Sequence, residues 1–468
     1  DPKALEDELP AFIDRHMQAN AQGIPTSKGT KLYLWPLTDI HLHSNLDSEI
    51  EPNSSIEYVY IYGAIAIFIL LIACINFMNL ATARSAKRAL EVGLRKVLGA
   101  DRELLVRQFM GETIIMAVMA MLLALGIAYL ALPAFGNFTG KVLSLNLLEH
   151  PEYLLGFVGL VVLVGILAGS YPSMFLSGFQ PVKVLKGTYK IGSIHEKFRS
   201  ILVVGQFAIS IVLIVSVLVV LDQLDFMKNK DLGFEKDDIV VLNSYPEFTQ
   251  NYEMMRDRLL QHPSIQAVAV ASRVPSGRLL DSQGTQAEVD GEITPINVRV
   301  ADIHVSHSFM ETFGIDLVAG RDFDINLASD STEAFILNES AVRAIGWANP
   351  EEAVQKQFMY GDRRGYVVGV VKDFHFESLH QPISPIVFLI PTNRINSAAV
   401  KISSENKEET ISYLRDEWQA MRPDLPFDYY LVSDSFDQQY ESEEKVAQVF
   451  GFFAGLAILI SVLGLFGL

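Results

Sequence analysis

The chain has 468 residues, 50% of them hydrophobic, with a formal net charge of −18 and a single cysteine. Its apolar residues gather into five runs near 56–83, 108–132, 152–176, 201–221 and 446–468, and this clustering excludes an ordinary soluble protein, because about 20 helical residues cross a hydrocarbon core of roughly 30 Å. Cys74 lies inside the first run, which excludes a disulfide framework and makes the thiol a small packing residue.

In chain order, residues 1–55 open with an amphipathic helix through Leu5, Leu9, Phe12 and Ile13. Strand-like Leu32-Tyr33-Leu34-Trp35, then Leu37-Thr38-Asp39-Ile40 and a polar patch lead into a transmembrane helix at 56–83. A charged amphipathic segment at 84–107 separates it from a second transmembrane helix at 108–132. A short loop at 133–151, a third span at 152–176, a linker at 177–200 and a fourth span at 201–221 follow. Residues 222–445 are polar and long enough for one or two packed subdomains. The fifth span, 446–468, is cut by the chain end, and the start Asp1-Pro2-Lys3 carries no initiator Met, so the expectation is an internal fragment of a longer protein.

Charge orients the spans. Segment 83–107 holds Arg84, Lys87, Arg88, Arg95, Lys96, Arg102 and Arg107 against Glu91, Asp101 and Glu103, and segment 176–200 holds five basic residues against Glu196. The other positions hold 51 acidic and 25 basic residues. The positive-inside rule therefore places 83–107 and 177–200 in the cytoplasm and 1–55, 133–151 and 222–445 outside. The expected fold class is a membrane protein of α-helical transmembrane spans plus an α+β extracytoplasmic (periplasmic) domain.

Within 222–445, alternation predicts strands at 238–242, 265–270, 297–300, 334–337, 365–371, 386–390 and 398–402, and helices at 253–260, 339–344 and 407–421. The first two strands and the helix between them form a βαβ-like unit. Pro275-Ser276-Gly277 and Asn349-Pro350 mark turns. The order near the start recurs near the end: helix 409–418, strand-like 427–432, Ser433-Asp434-Ser435-Phe436, an acidic patch and a span. The last span, from Phe453-Ala454-Gly455, echoes the first from Tyr62-Gly63-Ala64, so a duplicated unit is expected.

On a helix, Arg84, Arg88, Glu91 and Arg95 share one face, and Glu91 is placed to pair with Arg95 at i, i+4. Leu90, Leu94 and Val97 line another face. Gly99 is placed to end the helix with positive φ and Asp101 to cap the next. The bland alternative is a solvated basic loop that only fixes topology, but such a loop needs charge alone, not an apolar stripe, a Gly-Ala corner and a cap in order.

The run Glu91-Val92-Gly93-Leu94-Arg95-Lys96-Val97-Leu98-Gly99-Ala100, followed by Gln108-Phe109-Met110-Gly111-Glu112, resembles the permeases of the FtsX-like, macrolide-exporter-like branch of ABC transporters. Ser170-Tyr171-Pro172, Leu176-Ser177, Pro181-Val182 and Val184-Leu185-Lys186-Gly187 fit a variant of that family, as does Val367-Val368-Gly369-Val370-Val371-Lys372-Asp373-Phe374-His375. The resemblance implies that Arg84, Arg88, Glu91, Gly93, Arg95, Lys96, Gly99 and Ala100 belong to a coupling helix that docks on an ABC ATPase subunit. It implies a second permease copy (homodimer or pseudo-dimer), a periplasmic adaptor or outer-membrane partner, and a multi-pass place in a bacterial inner (plasma) membrane.

Glu112 sits one turn into the second span, where a lone carboxylate is costly. It is either an interfacial residue or a brace to the coupling helix through Arg84 or Arg95. Leu176-Ser177-Gly178-Phe179-Gln180 imitates the ATPase signature LSGGQ, but no G-x-x-x-x-G-K-[ST] loop occurs in the sequence, so ATP and Mg²⁺ are expected on a partner and no cofactor in this chain. His41 with His43, and Asp373, His375 and Glu377, have strand-face spacing but no second cluster, so no metal and no catalytic residues are expected. Membrane lipid is an expected partner, and nucleic acid is not.

The function expected is the non-enzymatic permease subunit of an ABC transporter that transmits ATPase-driven motion to periplasmic domains, exporting a peptide, antibiotic or similar substrate. Lipoprotein release and cell-wall-hydrolase regulation within the same family are the alternatives, with a membrane sensor or scaffold lacking an ATPase beyond them. A channel would need intramembrane charges facing a cavity, and spans two to four carry none inside but Glu112.

Overall fold

The computed structural model describes residues 1–17, 25–28, 30–44, 54–140, 142–146, 149–178, 193–243, 252–390 and 395–466, with the side chains of 83–87, 89, 90 and 193–196 left aside. It divides into two units, Asp1–Val217 with Val449–Leu468, and Leu218–Gln448. The motif residues 181–187 lie outside the described residues.

The first unit is helical. It begins with α1 (Pro2–His16) and α2 (Leu37–His43). Leu32-Tyr33-Leu34-Trp35 is not a strand, contrary to expectation: no partner strand is present among the described residues of 1–55. Then come α3 (Ile56–Val97), α4 (Arg102–Thr139), α5 (Pro151–Ser177), α6 (Ser193–Asn229) and, at the end of the chain, α14 (Glu441–Phe466). Each of these five helices contains a window long and apolar enough to cross a membrane. They overrun the apolar runs at their ends, because hydropathy marks the hydrocarbon-matched part and not where the helix stops.

The clearest case corrects the expected division at residue 83. α3 is one helix of 42 residues, about 63 Å long at 1.5 Å per residue. Past the apolar window the chain reads Ala81-Thr82-Ala83-Arg84-Ser85-Ala86-Lys87-Arg88-Ala89, rich in the residues that favour helix most, so polarity changes while the helix continues. The charged segment is the outer end of the spanning rod, not a separate element.

α4 and α5 pack closely through small residues. A Cβ at Gly165 would meet Ile114 Cγ1 at 2.8 Å, and one at Gly169 would meet Met110 Sδ and Thr113 Cβ at 3.0 Å. Glycines four apart bring helix backbones together where lipid provides no hydrophobic drive. α3, α6 and α14 form a second cluster through Ile65, Ile72, Leu213, Ala454 and Ala457.

The second unit is α+β. A four-stranded sheet runs in the order β12-β1-β11-β2, with β1 Ile239–Asn243, β2 Ile265–Ala271, β11 Ser397–Ile402 and β12 Tyr429–Leu431. β11 lies between β1 and β2 and is antiparallel to both, so the expected βαβ unit exists but is split by a later strand. On one face α7 (Tyr252–Leu259) and α12 (Lys407–Met421) bury Met255, Leu259, Leu414 and Trp418. On the other, Ile239, Val241, Ala269 and Ala399 join a core containing Phe309, Phe313, Phe374 and Phe388.

The second sheet orders β4-β3-β8-β9-β7-β10-β5, with β6 on β9. Its strands are β3 Thr285–Val289, β4 Glu292–Ile296, β5 Ala301–His304, β6 Leu317–Gly320, β7 Ala334–Asn338, β8 Gln357–Tyr360, β9 Arg363–Val371 and β10 Ile386–Leu389. Short helices α9 (Asp330–Glu333), α10 (Glu339–Ile345) and α11 (Pro350–Ala353) pack against this sheet, while α8 (Phe309–Phe313) and α13 (Val432–Gln438) pack against strands of the first. The expected strand at 297–300 is absent; that stretch links β4 to β5, and Arg299 is spent on the carbonyls of Leu279 and Leu280. β3 and β4 form a hairpin whose two turn residues, Asp290 and Gly291, both take positive φ, as a tight hairpin turn demands.

Candidate functional site at the elbow of two long helices

α3 ends at a corner built by backbone geometry. The Gly99 N–H donates to Lys96 O at 3.1 Å and the Ala100 N–H to Arg95 O at 3.0 Å, the paired bonds that close a helix when a left-handed residue follows it. Gly99 supplies that residue, with φ of +96°. Asp101 occupies the cap position of α4, but its side chain makes no capping bond among the described residues; its carbonyl accepts from Leu105 N instead. This corrects the side-chain cap expected there.

From the corner the two helices are tied by a polar ladder. Arg95 pairs with Glu91 at 2.8 Å and donates to Gln108 Oε1 at 2.7 Å. Gln108 Nε2 donates to Glu112 Oε1 at 3.4 Å, and Arg88 Nη1 meets Glu112 Oε2 at 2.7 Å. Arg88 also lies over the Phe109 ring, 5.8 Å from its centroid. The Glu112 bond, the strongest influence on it, lifts the Arg88 guanidinium above its ordinary range. Under the ladder, Val92, Leu105, Phe109, Phe175 and Leu176 form a small apolar core shared by α3, α4 and α5. A cavity of about 360 Å³ opens beside the Arg88–Glu112 pair, walled by Phe77, Leu80, Met116 and Leu176.

Lys96 reaches the third helix. Its ammonium donates to Ser177 O at 2.5 Å, and Arg102 Nε approaches Ser177 Oγ at 3.5 Å. A cation at the last carbonyls of α5 suits both their unsatisfied acceptors and the negative end of the helix dipole. Burial first, then the nearby Arg102 charge, holds the Lys96 ammonium below the ordinary lysine range. The corner itself remains uncovered. Leu94, Val97, Leu98 and Leu104 are 48%, 62%, 81% and 61% exposed, an apolar crest beside fixed charges.

Of the residues singled out in sequence, Arg88, Glu91, Arg95, Lys96, Gly99, Ala100 and Glu112 come together at this elbow. Gly93 is buried on the inner side of α3. Arg84 lies on α3, but its side chain falls outside the described residues. Glu112 is braced by Arg88, and it reaches Arg95 through Gln108. Gln108, Arg102 and Ser177 were not assigned site roles from sequence. Gln108 and Glu112 share a helix face at i, i+4, a signal for the first; nothing local announces that Lys96 will meet a carbonyl 81 positions away. Neither His41 with His43 nor Asp373 with His375 and Glu377 joins a cluster of three metal-binding side chains among the described residues.

Residues 63–181, which contain the whole elbow and α5, match the family model of the FtsX-like permease C-terminal domain. That stretch, about a quarter of the chain, is similar to the FtsX-like permeases. Stretches of the chain also resemble the macrolide export ATP-binding/permease protein MacB of Bdellovibrio bacteriovorus, 31% identical over 124 residues, or 26% of this chain and 18% of that protein. The ABC transporter permease YknZ of Bacillus subtilis is 27% identical over 126 residues, 27% of this chain and 31% of that protein. The matches thus span less than a third of the curated relatives' lengths. Among solved structures, the periplasmic region of MacB from Actinobacillus actinomycetemcomitans aligns with 46% of this chain and 97% of its own at 18% identity and a TM-score of 0.32. The extracellular domain of the noncanonic ABC-type transporter YknZ from Gram-positive bacteria aligns with 41% of this chain and 98% of its own at 14% identity and a TM-score of 0.29. The chain itself carries five helices long and apolar enough to cross a membrane, together with an α+β unit.

Proposed function

We propose that this chain is the force-transmitting permease subunit of an ABC transporter in a bacterial inner membrane. ATP and Mg²⁺ are handled by a separate ATPase, and the elbow is where that ATPase docks. The exposed crest of Leu94, Val97, Leu98 and Leu104 enters the partner, while Arg88, Glu91, Arg95 and Lys96 hold the crest in one orientation. Motion received at the corner passes along α3, which has no break between residue 56 and residue 97. The unit Leu218–Gln448 does its work outside the membrane, in export of a peptide, antibiotic or similar substrate, with an adaptor or outer-membrane partner.

The observation that carries this reading is the elbow's construction: an exposed apolar tip on a corner stapled to three helices. A loop that only fixed topology would need no such bracing. The test is photocross-linking from a benzoylphenylalanine at position 98 in intact membranes. An adduct with an ATPase bearing a Walker A loop supports the proposal. Adducts with lipid alone, or with a partner lacking such a loop, defeat it.

A further inference from the structure

Among the described residues, α3 and α4 scarcely adjoin beyond the elbow, while α5 packs against both. Gly165 and Gly169 draw α5 onto α4, so α5 floors a cleft whose sides are α3 and α4. The cavity of about 360 Å³ beside the Arg88–Glu112 pair is the mouth of this cleft. A second cavity, of about 140 Å³, continues it, since Phe77, Thr113 and Met116 wall both. The inner cavity ends among Leu70, Cys74, Ala120 and Val164. This is a different face of α3 from the one that carries Ile65 and Ile72 to α6 and α14.

The cleft is polar at one end only. The hydroxyls along it are spent on their own helices, Thr113 on Phe109 O at 3.0 Å and Ser173 on Ser170 O at 3.0 Å. Its inner walls therefore present hydrocarbon, a lining that does not hold water. Left empty, those walls would forfeit their contacts. At the mouth stand Arg88 and Glu112, both partly exposed. Among the described residues, Arg88 gives one N–H to Glu112, of the five that a guanidinium carries. From Leu80 to Leu70 the α3 wall rises about 15 Å, half of a hydrocarbon core of roughly 30 Å. The cleft has the depth of one leaflet, with its charged end at the membrane face.

We propose that the cleft holds one acyl chain of an anionic phospholipid from the cytoplasmic leaflet, with the lipid's phosphate on Arg88. Charge selects the headgroup. Segment 83–107 carries seven basic residues against three acidic ones, and basic pockets between spans on the cytoplasmic side suit anionic headgroups. The planar fork of a guanidinium serves a carboxylate on one edge and a phosphate on another. A tail lodged between α3 and α4 is a wedge. It fills the space into which the two helices would otherwise close, and it acts with the Arg88–Glu112 pair in setting the angle between them. This inference rests on the basic segments lying in the cytoplasm and stands whether or not the elbow meets an ATPase.

The experiment places the whole chain in phosphatidylcholine nanodiscs doped with phosphatidylglycerol that carries a diazirine in its acyl chain, and maps photoadducts by peptide mass spectrometry. A phosphatidylcholine probe with the same tail is the control. Adducts at Phe77 and Met116 are expected about fivefold more often with the anionic probe, the preference that a single basic side chain supplies. Ile115 and Leu122, exposed on the far side of α4, are expected to label equally with both probes, and their labelling reports that each variant has inserted. Arg88→Gln is expected to abolish the anionic preference while adducts at Met116 persist. Ala117→Phe, which fills the inner cavity, is expected to cut the adducts at Phe77 with both probes. Equal labelling of Phe77 and Met116 by the two probes in the parent chain would overturn the proposal. So would an unlabelled cleft beside labelled Ile115 and Leu122, or an anionic preference that survives Arg88→Gln.

Discussion

Arg88 on α3 and Glu112 on α4 meet at 2.7 Å, 24 positions apart in sequence, across the fork that the Gly99 corner opens. Both side chains keep partial access to solvent, 49% and 36%. A pair so exposed contributes little to stability, on the order of 1 kcal/mol or less. Its value lies in fixing the angle between two rods. Arg88→Glu is therefore expected to insert and fold normally yet lose most transport-linked ATPase stimulation in a reconstituted complex, and the exchange Arg88→Glu with Glu112→Arg to recover it. Equal loss in the single and exchanged variants would remove the brace from the mechanism.

The corner makes a sharper demand. Gly99 holds φ at +96°, a conformation that a β-branched residue adopts only with strain of about 1–2 kcal/mol. Space is not the issue, since nothing lies within 4 Å of a Cβ built there. Gly99→Val is expected to unwind the corner and uncouple ATP hydrolysis from transport, whereas Gly99→Asn, which tolerates the left-handed region, retains most coupling. Arg95→Glu should uncouple as well, because it loses Glu91 and Gln108 together. Measured coupling ratios that do not separate Val from Asn would show that the turn geometry is dispensable.

The five spans, the helix at Lys407–Met421 and the strands β1, β2, β7, β9, β10 and β11 were legible because each is a run of one periodicity with clear ends. Other features were hidden for physical reasons. Helix propensity outlasts hydropathy at Ala81–Ala89, so the sequence divided a rod that the structure leaves whole. Arg84, Arg88 and Arg95 share one helical face, and phase alone does not choose which of them meets Glu112. β3 and β4 had a readable signal in Asp290-Gly291, but Pro295 and the polar residues around the turn disguised their alternation. The Lys96–Ser177 bond and the close approach of Gly464 to Asn76 join distant segments, and only packing discloses them.

Topology can be read with two thiols on a Cys74→Ala background. Leu98→Cys reports the elbow and Glu292→Cys the hairpin of the α+β unit; both positions are exposed. An impermeant maleimide is expected to label position 292 in intact spheroplasts and position 98 only after the membrane is opened. The reverse pattern would invert the assignment of the basic segments to the cytoplasm.

The α+β unit offers a test of pH linkage, because its cores are its own and its first and last strands, β1 and β12, pair directly. Excised as residues 230–440, it is expected to fold and to unfold cooperatively. Burial, with Glu311 adding to it, pushes the Asp322 carboxyl up to about 6 from 3.8. Between those values the folded state keeps a proton that the unfolded chain has released, so stability falls as pH rises from about 4 to 6, by up to about 3 kcal/mol, and levels off above. Asp330 acts on the acid side of that window. Burial raises it, but the two bonds from Arg321, at 2.5 and 2.8 Å, and the Asp324 N–H bring its carboxyl below the ordinary range. Its contribution is lost only as pH drops below about 4. Asp322→Asn is thus expected to raise the urea midpoint at pH 7 and to flatten its decline between pH 4 and 6 while leaving the acid limb unchanged. A midpoint lowered by the substitution at pH 7 would mean that the Asp322 charge supports the fold.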